Sequence, residues 1–516
     1  MKKLTKEEII KILGEPNGAE KLTGMNVDPD ALFDSASALF KENGSASALL
    51  IRLVNKKQYL VRLSEDKEFL SALGRELSGD NAKLRRNAAR LIGAMKLTDM
   101  TDELISAISK EDQRFVRPSM LLALGSLGGE KAEGCLRSYR AAPPADDTEK
   151  KHYEEETRAL TTALRSIAPK EEHVFTGLAK PMTAELRAPD LLTHVLADEL
   201  ADLGFASFDD RHDSLKTTVS DLSALYNARC FSEALFPIGT VTADAAAIAK
   251  KAVPFLEELM RSSHSGRPPF RFRVELKIPM KTPALRQELV REISDRCESA
   301  SLVNAPSDYE VELRVEGSEK NARLYAKLFT FRDERFSYRA ESIPASMSPY
   351  VAAAVLRFAS DYLSVNARVL DPCCGSGTFL IERGLMSPCA SLTGVDIAHN
   401  AIDVARRNTA LSGVNAKYTV NDILRFECHR PYDELIANLP FGNRVGSHSS
   451  CEKLYAGLLA KLPQLVKKGG VAILYTMEFT LLKRLIREQG ERLTLLSQQR
   501  TEAGGLTPMI FILRIE

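Results

Sequence analysis

The last third of this chain alternates between short apolar runs and helix-like segments, and this alternation constrains the fold more than any other feature. Repeated βα units predict an α/β, Rossmann-like domain over residues 341–516, built on a mostly parallel sheet with helices on both faces. Two final apolar runs around a Gly-rich turn predict a closing antiparallel hairpin, which completes seven strands. The strands before that hairpin are predicted at 367–372, 391–396, 416–420, 432–438 and 470–476.

The chain of 516 residues is too long for one hydrophobic core, so we expect three or four domains. Residues 1–165 are predicted to be all α-helical. Two stretches, LRRNAARLIG at 84–93 and VRPSMLLALG at 116–125, share an apolar–Arg pair and a closing Gly at an offset of 32 residues. This period resembles HEAT or armadillo-like repeats, in which stacked helix pairs share a core. Two ordinary amphipathic helices are the alternative.

A Pro-rich break at 141–150 precedes a middle region, 170–340, in which strand-like runs mix with helices. This mixture predicts an α+β module made of two small halves. Its predicted strands are 173–179, 271–278, 309–317 and 322–330, and its predicted helices are 189–203, 222–236 and 283–298.

The strongest local signal is VLDPCCGSGTFLIE at 369–382, where an apolar strand ends at Asp371 and a turn with Gly375 and Gly377 leads into a helix. Glycines there allow a ligand to approach the backbone closely. The turn has neither the GxGxxG pattern nor a P-loop Lys, so a polyphosphate ligand is not expected. Asp396, at the end of the next strand, is suited to bind ribose hydroxyls.

Asp422 and Ile423 follow the third predicted strand and offer a polar and an apolar edge to an adenine ring. Together with Asp371 and Asp396, they predict an adenosine-containing ligand without polyphosphate, and S-adenosylmethionine fits this description. Asp371 would then lie near the positively charged methionine end. The alternative is a structural βα turn with incidental acidic residues.

The second signal is ANLPFGNR at 437–444, at the carboxyl end of the fourth predicted strand. The amide oxygen of Asn438 and the carbonyl of Leu439 are suited to accept both N–H bonds of an exocyclic base amine and to stabilise charge that develops on its nitrogen. Pro440 would hold Leu439 extended, Phe441 would stack on the base, and Gly442 would leave space for it. A turn that only caps the strand is the alternative.

These motifs, DPCCGSGTF and NLPFG, resemble the class I S-adenosylmethionine-dependent methyltransferases that act on amino groups. The motif NLPFGNR and the stretch FSYRAESIPASMSPYVAAAVLRFA at 336–359 resemble the THUMP-domain RNA guanine-N2 methyltransferases. The resemblance covers 341–516 in detail, and it implies a ferredoxin-like plus THUMP RNA-binding module at 170–340. Residues 1–165 have no counterpart in that family and form a HEAT-like extension.

The resemblance also implies roles for individual residues. The target base would be held by Asn438, Leu439, Pro440 and Phe441. A covalent Cys373 or Cys374 is the competing idea, and it is disfavoured because direct transfer to an amine needs no covalent intermediate. The implied cofactor-binding residues are Asp371, Cys373, Gly375, Gly377, Thr378, Asp396, Ile397, Asp422, Ile423 and Asn438.

The formal net charge of +1 averages segments that differ, since residues 51–100 and 451–500 each carry +5, 251–300 carry +3, and 151–250 carry −6. The stretch RPPFRFR at 267–273 interleaves Arg and Phe, which suits phosphate contacts and base stacking. We therefore expect RNA contacts from Arg267, Arg271, Arg273 and, beside the base motif, Arg444. Ordinary solvated surfaces are the alternative for each basic segment.

The eight cysteines form no CxxC pair, so no metal site is expected, and no apolar run is long enough to span a membrane. We expect a cytoplasmic enzyme that transfers a methyl group from S-adenosylmethionine to the N2 amine of guanine in RNA, with tRNA favoured. The alternatives are an N6-adenine or rRNA guanine methyltransferase, or an inactive RNA-binding scaffold. A protein partner for the helical region is a further possibility.

Overall fold

The computed structural model describes residues 4–144, 146–167, 172–208, 211–344, 346–441, 448–501 and 505–516. The chain divides into two compact units, Met1–Lys170 and Glu171–Glu516. All regular secondary structure described in the first unit is helical. Its helices are α1 (Lys6–Leu13), α2 (Gly18–Gly24), α3 (Pro29–Asn43), α4 (Ser47–Leu53), α5 (Lys57–Glu65), α6 (Lys67–Ser78), α7 (Ala82–Met95), α8 (Thr101–Lys110), α9 (Arg117–Leu127), α10 (Gly129–Ser138) and α11 (Asp147–Ile167).

The two glycines of the sequence repeat lie where α7 comes close to α9 and where α9 comes close to α11. A Cβ atom on Gly93 of α7 would stand 3.0 Å from the Cα of Ala123 in α9, and one on Gly125 of α9 would stand 2.6 Å from the Cα of Ala163 in α11. Both glycine carbonyls accept a serine hydroxyl from the helix that the glycine approaches, at 2.8 Å for Gly93 and 2.9 Å for Gly125. The repeat therefore reflects one helix-packing geometry used twice.

The repeated arginines also have equivalent roles in the two copies. The Arg85 guanidinium donates to the carbonyls of Gly79 and Asp80, which follow the end of α6. Arg117 donates in the same way to the carbonyl of Glu111, which follows the end of α8. Each arginine thus satisfies carbonyls at the end of the preceding helix, where no intrahelical partner exists.

The second unit begins with an eight-stranded sheet of order β2-β3-β1-β4-β8-β7-β5-β6. The pairings are antiparallel from β2 to β7, whereas β5 is parallel to both β7 and β6. The two predicted halves therefore share one continuous sheet. The strands are β1 (Met182–Arg187), β2 (Ser207–Phe208), β3 (Ser214–Val219), β4 (Ala234–Val241), β5 (Phe270–Lys277), β6 (Leu302–Asn304), β7 (Val311–Ser318) and β8 (Asn321–Leu328), with helices α12 (Thr193–Asp202), α13 (Leu222–Leu225), α14 (Ala245–Ser263) and α15 (Pro283–Cys297).

Two elements predicted in this region are wrong. The strand expected at 173–179 is reduced to one isolated bridge between Phe175 and His264. The helix expected at 222–236 ends at Leu225, because the backbone N–H groups of Arg229 and Cys230 donate to the Glu199 carboxylate at 2.9 and 2.8 Å. The apolar residues that follow form β4, since a short apolar run fits a buried strand as well as a helix.

The rest of the second unit is a seven-stranded sheet of order β11-β10-β9-β12-β13-β15-β14. The first five strands are parallel, and the last two form an antiparallel hairpin on β13. The strands are β9 (Ala367–Asp371), β10 (Cys389–Asp396), β11 (Lys417–Val420), β12 (Tyr432–Asn438), β13 (Val466–Thr476), β14 (Leu493–Arg500) and β15 (Met509–Ile515), with helices α16 (Pro349–Phe358), α17 (Thr378–Met386), α18 (His399–Ser412), α19 (His448–Leu465) and α20 (Phe479–Glu488).

Strand β9 lies between β10 and β12, so the chain order reverses at this point of the sheet. In open parallel sheets, ligands bind at the carboxyl ends of the strands at such a reversal. The carboxyl ends of β9, β10 and β12 carry Asp371, Asp396 and Asn438, which places three of the predicted site residues at one edge.

A buried ion-pair cluster joins the two sheets of the second unit near this edge. Glu382 of α17 accepts two hydrogen bonds of 2.8 Å from the Arg229 guanidinium and one of 2.6 Å from the Tyr338 hydroxyl. Glu382 is buried, and Arg229 lies in the segment before β4. The helix that follows the Gly375–Gly377 turn is thereby fixed to the preceding module.

Candidate active site

Asp371 ends β9 with its side chain only 2% exposed. One of its oxygens accepts the backbone N–H of Cys373 at 3.1 Å, and no described cation pairs with it. Burial raises the pKa of this carboxyl to about 8, and the nearby charge of Asp396 adds to the effect. A buried carboxylate without a cation is suited to a ligand that brings positive charge.

The glycines of the following turn have backbone conformations that favour glycine. Gly375 and Gly377 have φ angles of 52° and 82°, and a Cβ on Gly377 would stand 2.7 Å from the Tyr418 hydroxyl. Thr378 then begins α17, and its hydroxyl lies 3.2 Å from that of Ser376. The turn thus brings its own backbone against the strand ends, with little room for a larger side chain at Gly377.

Asp396 is held at the end of β10 by two backbone hydrogen bonds. One carboxylate oxygen accepts the N–H of Gly375 at 2.9 Å, and the other accepts the N–H of Ala398 at 2.9 Å. Each oxygen keeps further acceptor capacity. A carboxylate that is oriented in this way and partly exposed is suited to receive two neighbouring hydroxyl groups of a ribose.

The two residues predicted to contact an adenine edge have different environments. The Asp422 side chain is 42% exposed, and one of its oxygens accepts the N–H of Leu424 at 2.9 Å. Ile423 is only 3% exposed and packs with Leu370 and Val395 in the core beneath the sheet, so its side chain offers no apolar edge to a ligand. Ile397, which is 73% exposed after β10, is the apolar side chain that remains open at this edge.

The two cysteines of the turn are poor nucleophiles in this setting. Burial raises the pKa of Cys373, and the negative charges of Asp371 and Asp396 raise it further. Burial and the same two carboxylates also raise the pKa of the Cys374 thiol. Because the thiolate is the reactive form, these surroundings argue against covalent catalysis by either residue.

Asn438, the last residue of β12, has a buried side-chain oxygen with no hydrogen-bond partner among the described residues. Buried acceptors almost always have a partner in folded proteins. Leu439, which follows, is 1% exposed and donates its N–H to the carbonyl of Tyr475 at 2.9 Å. The backbone is thus anchored at the point where the Asn438 oxygen stays unsatisfied.

The next residues are supported by side chains that the sequence did not single out. The Pro440 carbonyl accepts the hydroxyl of Tyr455 at 2.7 Å, and that hydroxyl lies 2.6 Å from the hydroxyl of Thr476. The ring of Phe441 lies 6.2 Å from that of Tyr475. A Tyr inside the apolar face of α19 was the available signal, because a buried phenol needs a polar partner. Gly442 and Arg444 lie outside the described residues.

Most Arg and Phe side chains of the basic stretch before and within β5 are buried or paired within the fold. Arg271 pairs with Glu310 at 2.8 Å, and Arg273 pairs with Glu312 and packs on the Tyr309 ring at 3.9 Å. Phe270 and Phe272 are 1% and 0% exposed, so neither ring is available for base stacking. Of the arginines predicted here, Arg267 lies in an exposed segment.

Within the described residues, no group of three or more His, Cys, Asp or Glu side chains is arranged to hold a metal ion. The helices found in the described parts of the chain include none that is long and apolar enough to cross a membrane.

Two family profiles match the chain. Residues 337–506 match UPF0020, described as an RMKL-like methyltransferase domain, and residues 70–151 match HEAT repeats. The first match confirms the methyltransferase prediction for this region and supports S-adenosylmethionine as its cofactor. The second confirms the HEAT-like character of the helical region over α6 to α10.

Curated relatives align with parts of the chain. The tRNA (guanine(6)-N2)-methyltransferase of Thermus thermophilus is 28% identical over 248 residues, which are 47% of this chain and 72% of that protein. The tRNA (guanine(10)-N2)-dimethyltransferase of Methanothermobacter thermautotrophicus is 28% identical over 163 residues, 31% of this chain and 47% of that protein.

A solved structure shares the fold. TrmN from Thermus thermophilus superposes with a TM-score of 0.50 at 22% identity, and the alignment covers 65% of this chain and all of that chain. At this level of identity, the likeness concerns the fold alone.

Proposed function

We propose that this chain transfers a methyl group from S-adenosylmethionine to the exocyclic N2 amine of a guanine in RNA, with tRNA as the favoured class. The observation that carries the proposal is the buried, unpartnered side-chain oxygen of Asn438, beside the strand end that bears Asp371. The two curated relatives act, by their names, on guanine N2 of tRNA. In this reading 341–516 carries the chemistry, 170–340 is a ferredoxin-like and THUMP RNA-binding module, and 1–165 is the HEAT-like extension of a cytoplasmic enzyme.

The residues at the strand ends suit the cofactor. Asp396 presents two oriented oxygens for ribose hydroxyls, and Gly375 and Gly377 leave two positions of the turn without a side chain. Asp371 lacks a cationic partner among the described residues, and a ligand with positive charge would supply one. When bound, S-adenosylmethionine supplies an electrophilic methyl group on a positively charged sulfur.

Asn438 has a chemical task that fits its environment. An exocyclic amine on a purine is a weak nucleophile because its lone pair is delocalised into the ring. An acceptor on one amine hydrogen favours pyramidal nitrogen and stabilises the positive charge that develops on it, most strongly where water is excluded. The buried Asn438 oxygen is such an acceptor, and the anchored backbone at Leu439 fixes its position. Phe441 would face the plane of the base, which must leave its stack to enter.

Replacement of Asn438 tests the mechanism. We expect Asn438→Ala to lower methyl transfer to tRNA by about 100-fold or more, because the buried side-chain acceptor proposed for the amine is removed. Cofactor affinity, measured by calorimetry, should stay within about twofold. Asn415→Ala, at an exposed position before β11, is the matched control and should methylate at the normal rate. Normal turnover by Asn438→Ala would overturn the proposed mechanism.

Nucleoside digestion and mass spectrometry of the modified RNA separate the proposal from its alternatives. N2-methylguanosine from tRNA supports it, whereas N6-methyladenosine or methylguanosine found only in rRNA selects another substrate. A chain that binds no S-adenosylmethionine would be an inactive scaffold.

A further inference from the structure

The first unit carries a group of arginines that lies apart from the methyltransferase region. Arg52 is on α4, and Arg86 and Arg90 are on α7, within residues 51–100, which carry a net charge of +5. Arg90 has an exposed side chain, but partial burial of its guanidinium lowers its pKa, and the neighbouring positive charges of Arg86 and Arg52 lower it further. Like charges have therefore been gathered on one face at an energetic cost.

Most other arginines of this unit have a carboxylate partner. Arg86 and Arg90 have no described carboxylate within ion-pair distance, and Arg52 has one exposed pair with Glu20 at 3.3 Å. Such an exposed pair contributes little. The paired arginines, which reach a carboxylate within 3.6 Å, are Arg62, Arg85, Arg114, Arg117 and Arg137.

Arg86 also leaves a donor unsatisfied. Its Nε atom is buried and has no acceptor among the described residues, while its guanidinium lies over the Phe115 ring at 5.9 Å. A buried donor without an acceptor destabilises the fold. The Phe115 ring is half-buried, and its centre is 6.5 Å from that of His152. The arginines thus adjoin a partly exposed aromatic surface.

We propose that the arginine surface, defined as Arg52, Arg86, Arg90 and Phe115, binds the phosphodiester backbone of RNA. This inference rests on the proposed function, because it gives the helical unit a second contact with the same substrate. Phosphate oxygens would satisfy the open guanidinium donors, which form planar, paired hydrogen bonds with such groups. An acidic protein segment is the competing occupant. The repeated spacing of backbone phosphates and the adjoining aromatic ring favour RNA.

The salt dependence of RNA binding tests the arginine surface in the full chain. The probe is an unmodified tRNA transcript, and the test variant combines Arg86→Gln and Arg90→Gln. We expect about tenfold weaker binding at moderate salt and a slope of log affinity against log salt that is smaller by about 1 to 2. Lys131→Gln with Arg137→Gln is the matched control, because it removes two positive charges that already face Asp102 and Glu133. Its slope should match the unmodified chain.

Equal slopes for the test and control variants would overturn the proposed binding of RNA at the arginine surface. A test variant that loses binding to a polyglutamate peptide but keeps its RNA affinity would also overturn it. These outcomes leave the proposed function intact, because methylation at the Asn438 site is measured separately. An unmodified chain that neither binds tRNA nor methylates it would overturn the proposed function instead. Unchanged cofactor affinity in both double variants shows that the second unit is intact.

Discussion

Two arginine-rich regions of this protein have different surroundings. In the eight-stranded sheet, Arg273 on β5 stands opposite Glu312 on β7, and the two side chains pair. In the first unit, Arg86 and Arg90 have no described carboxylate within reach. We infer that a basic stretch is available to bind a ligand only where the fold does not supply the counter-charge.

The same distinction applies to acidic groups. Glu312 is fully buried and pairs with both Arg273 and Arg314. Asp371 is almost as buried, but no cation among the described residues pairs with it, and the charge of Asp396 raises its pKa. Charges paired within the fold should therefore govern stability, and unpaired charges should respond to ligands and to pH.

The largest expected effect comes from breaking the paired network. Glu312→Ala would leave Arg273 without its carboxylate and Arg314 with fewer, and uncompensated buried charge is costly. We expect the free energy of unfolding of the second unit to fall by about 3 kcal/mol. Chemical denaturation measures this free energy, with the unfolding transition of the second unit followed separately from that of the first unit. The matched control is Glu275→Ala on β5, a partly exposed carboxylate whose loss should cost well under 1 kcal/mol. Equal losses in the two variants would contradict the comparison.

A pH-dependent effect is expected at the unpaired carboxylate. Since the pKa of Asp371 is raised to about 8, the folded chain keeps a proton that the unfolded chain has lost at neutral pH. Its contribution to stability is therefore present in acid and is lost as pH rises through about 8. Without cofactor, Asp371→Asn should match the unmodified chain near pH 4, close to the unfolded pKa, and should be more stable by several kcal/mol near pH 9.

Thermal unfolding at the two pH values checks this sign, with the exposed Asp361→Asn as the control. A variant that is less stable than the unmodified chain at the higher pH would show that Asp371 is charged and stabilised in the apo fold.

The sequence predicted the positions of the site residues better than it predicted the elements of the middle region, 170–340. Asp371, Asp396 and Asn438 each end a strand of a parallel sheet, and the carboxyl ends of parallel strands share an edge, so local motifs were enough to bring them together. The burial of Ile423 could not be foreseen, because a one-residue difference at a strand end decides whether a side chain faces the core or the crevice. The supporting hydroxyl of Tyr455 belongs to α19, and only tertiary packing brings it to Pro440.

The wrong predictions in the middle region have a related cause. The partners of Arg271 and Arg273 lie on or beside β7, and no local pattern gives the register between two strands that are far apart in sequence. The end of the helix at Leu225 also depends on Glu199, which is distant in the chain. Local periodicity predicts elements, whereas long-range polar contacts decide where they stop.

The smallest expected effect sharpens the opening comparison most directly. Arg273→Gln removes a positive charge that already faces Glu312 and packs on Tyr309. We expect it to lower the free energy of unfolding of the second unit by about 1 kcal/mol and to leave the salt dependence of RNA binding unchanged. The double variant Arg86→Gln, Arg90→Gln should show the reverse pattern, with unchanged stability and a smaller salt slope. If Arg273→Gln lowered the slope by about 1, the Glu312 pair would have to open for RNA, and pairing within the fold would no longer separate structural from binding arginines.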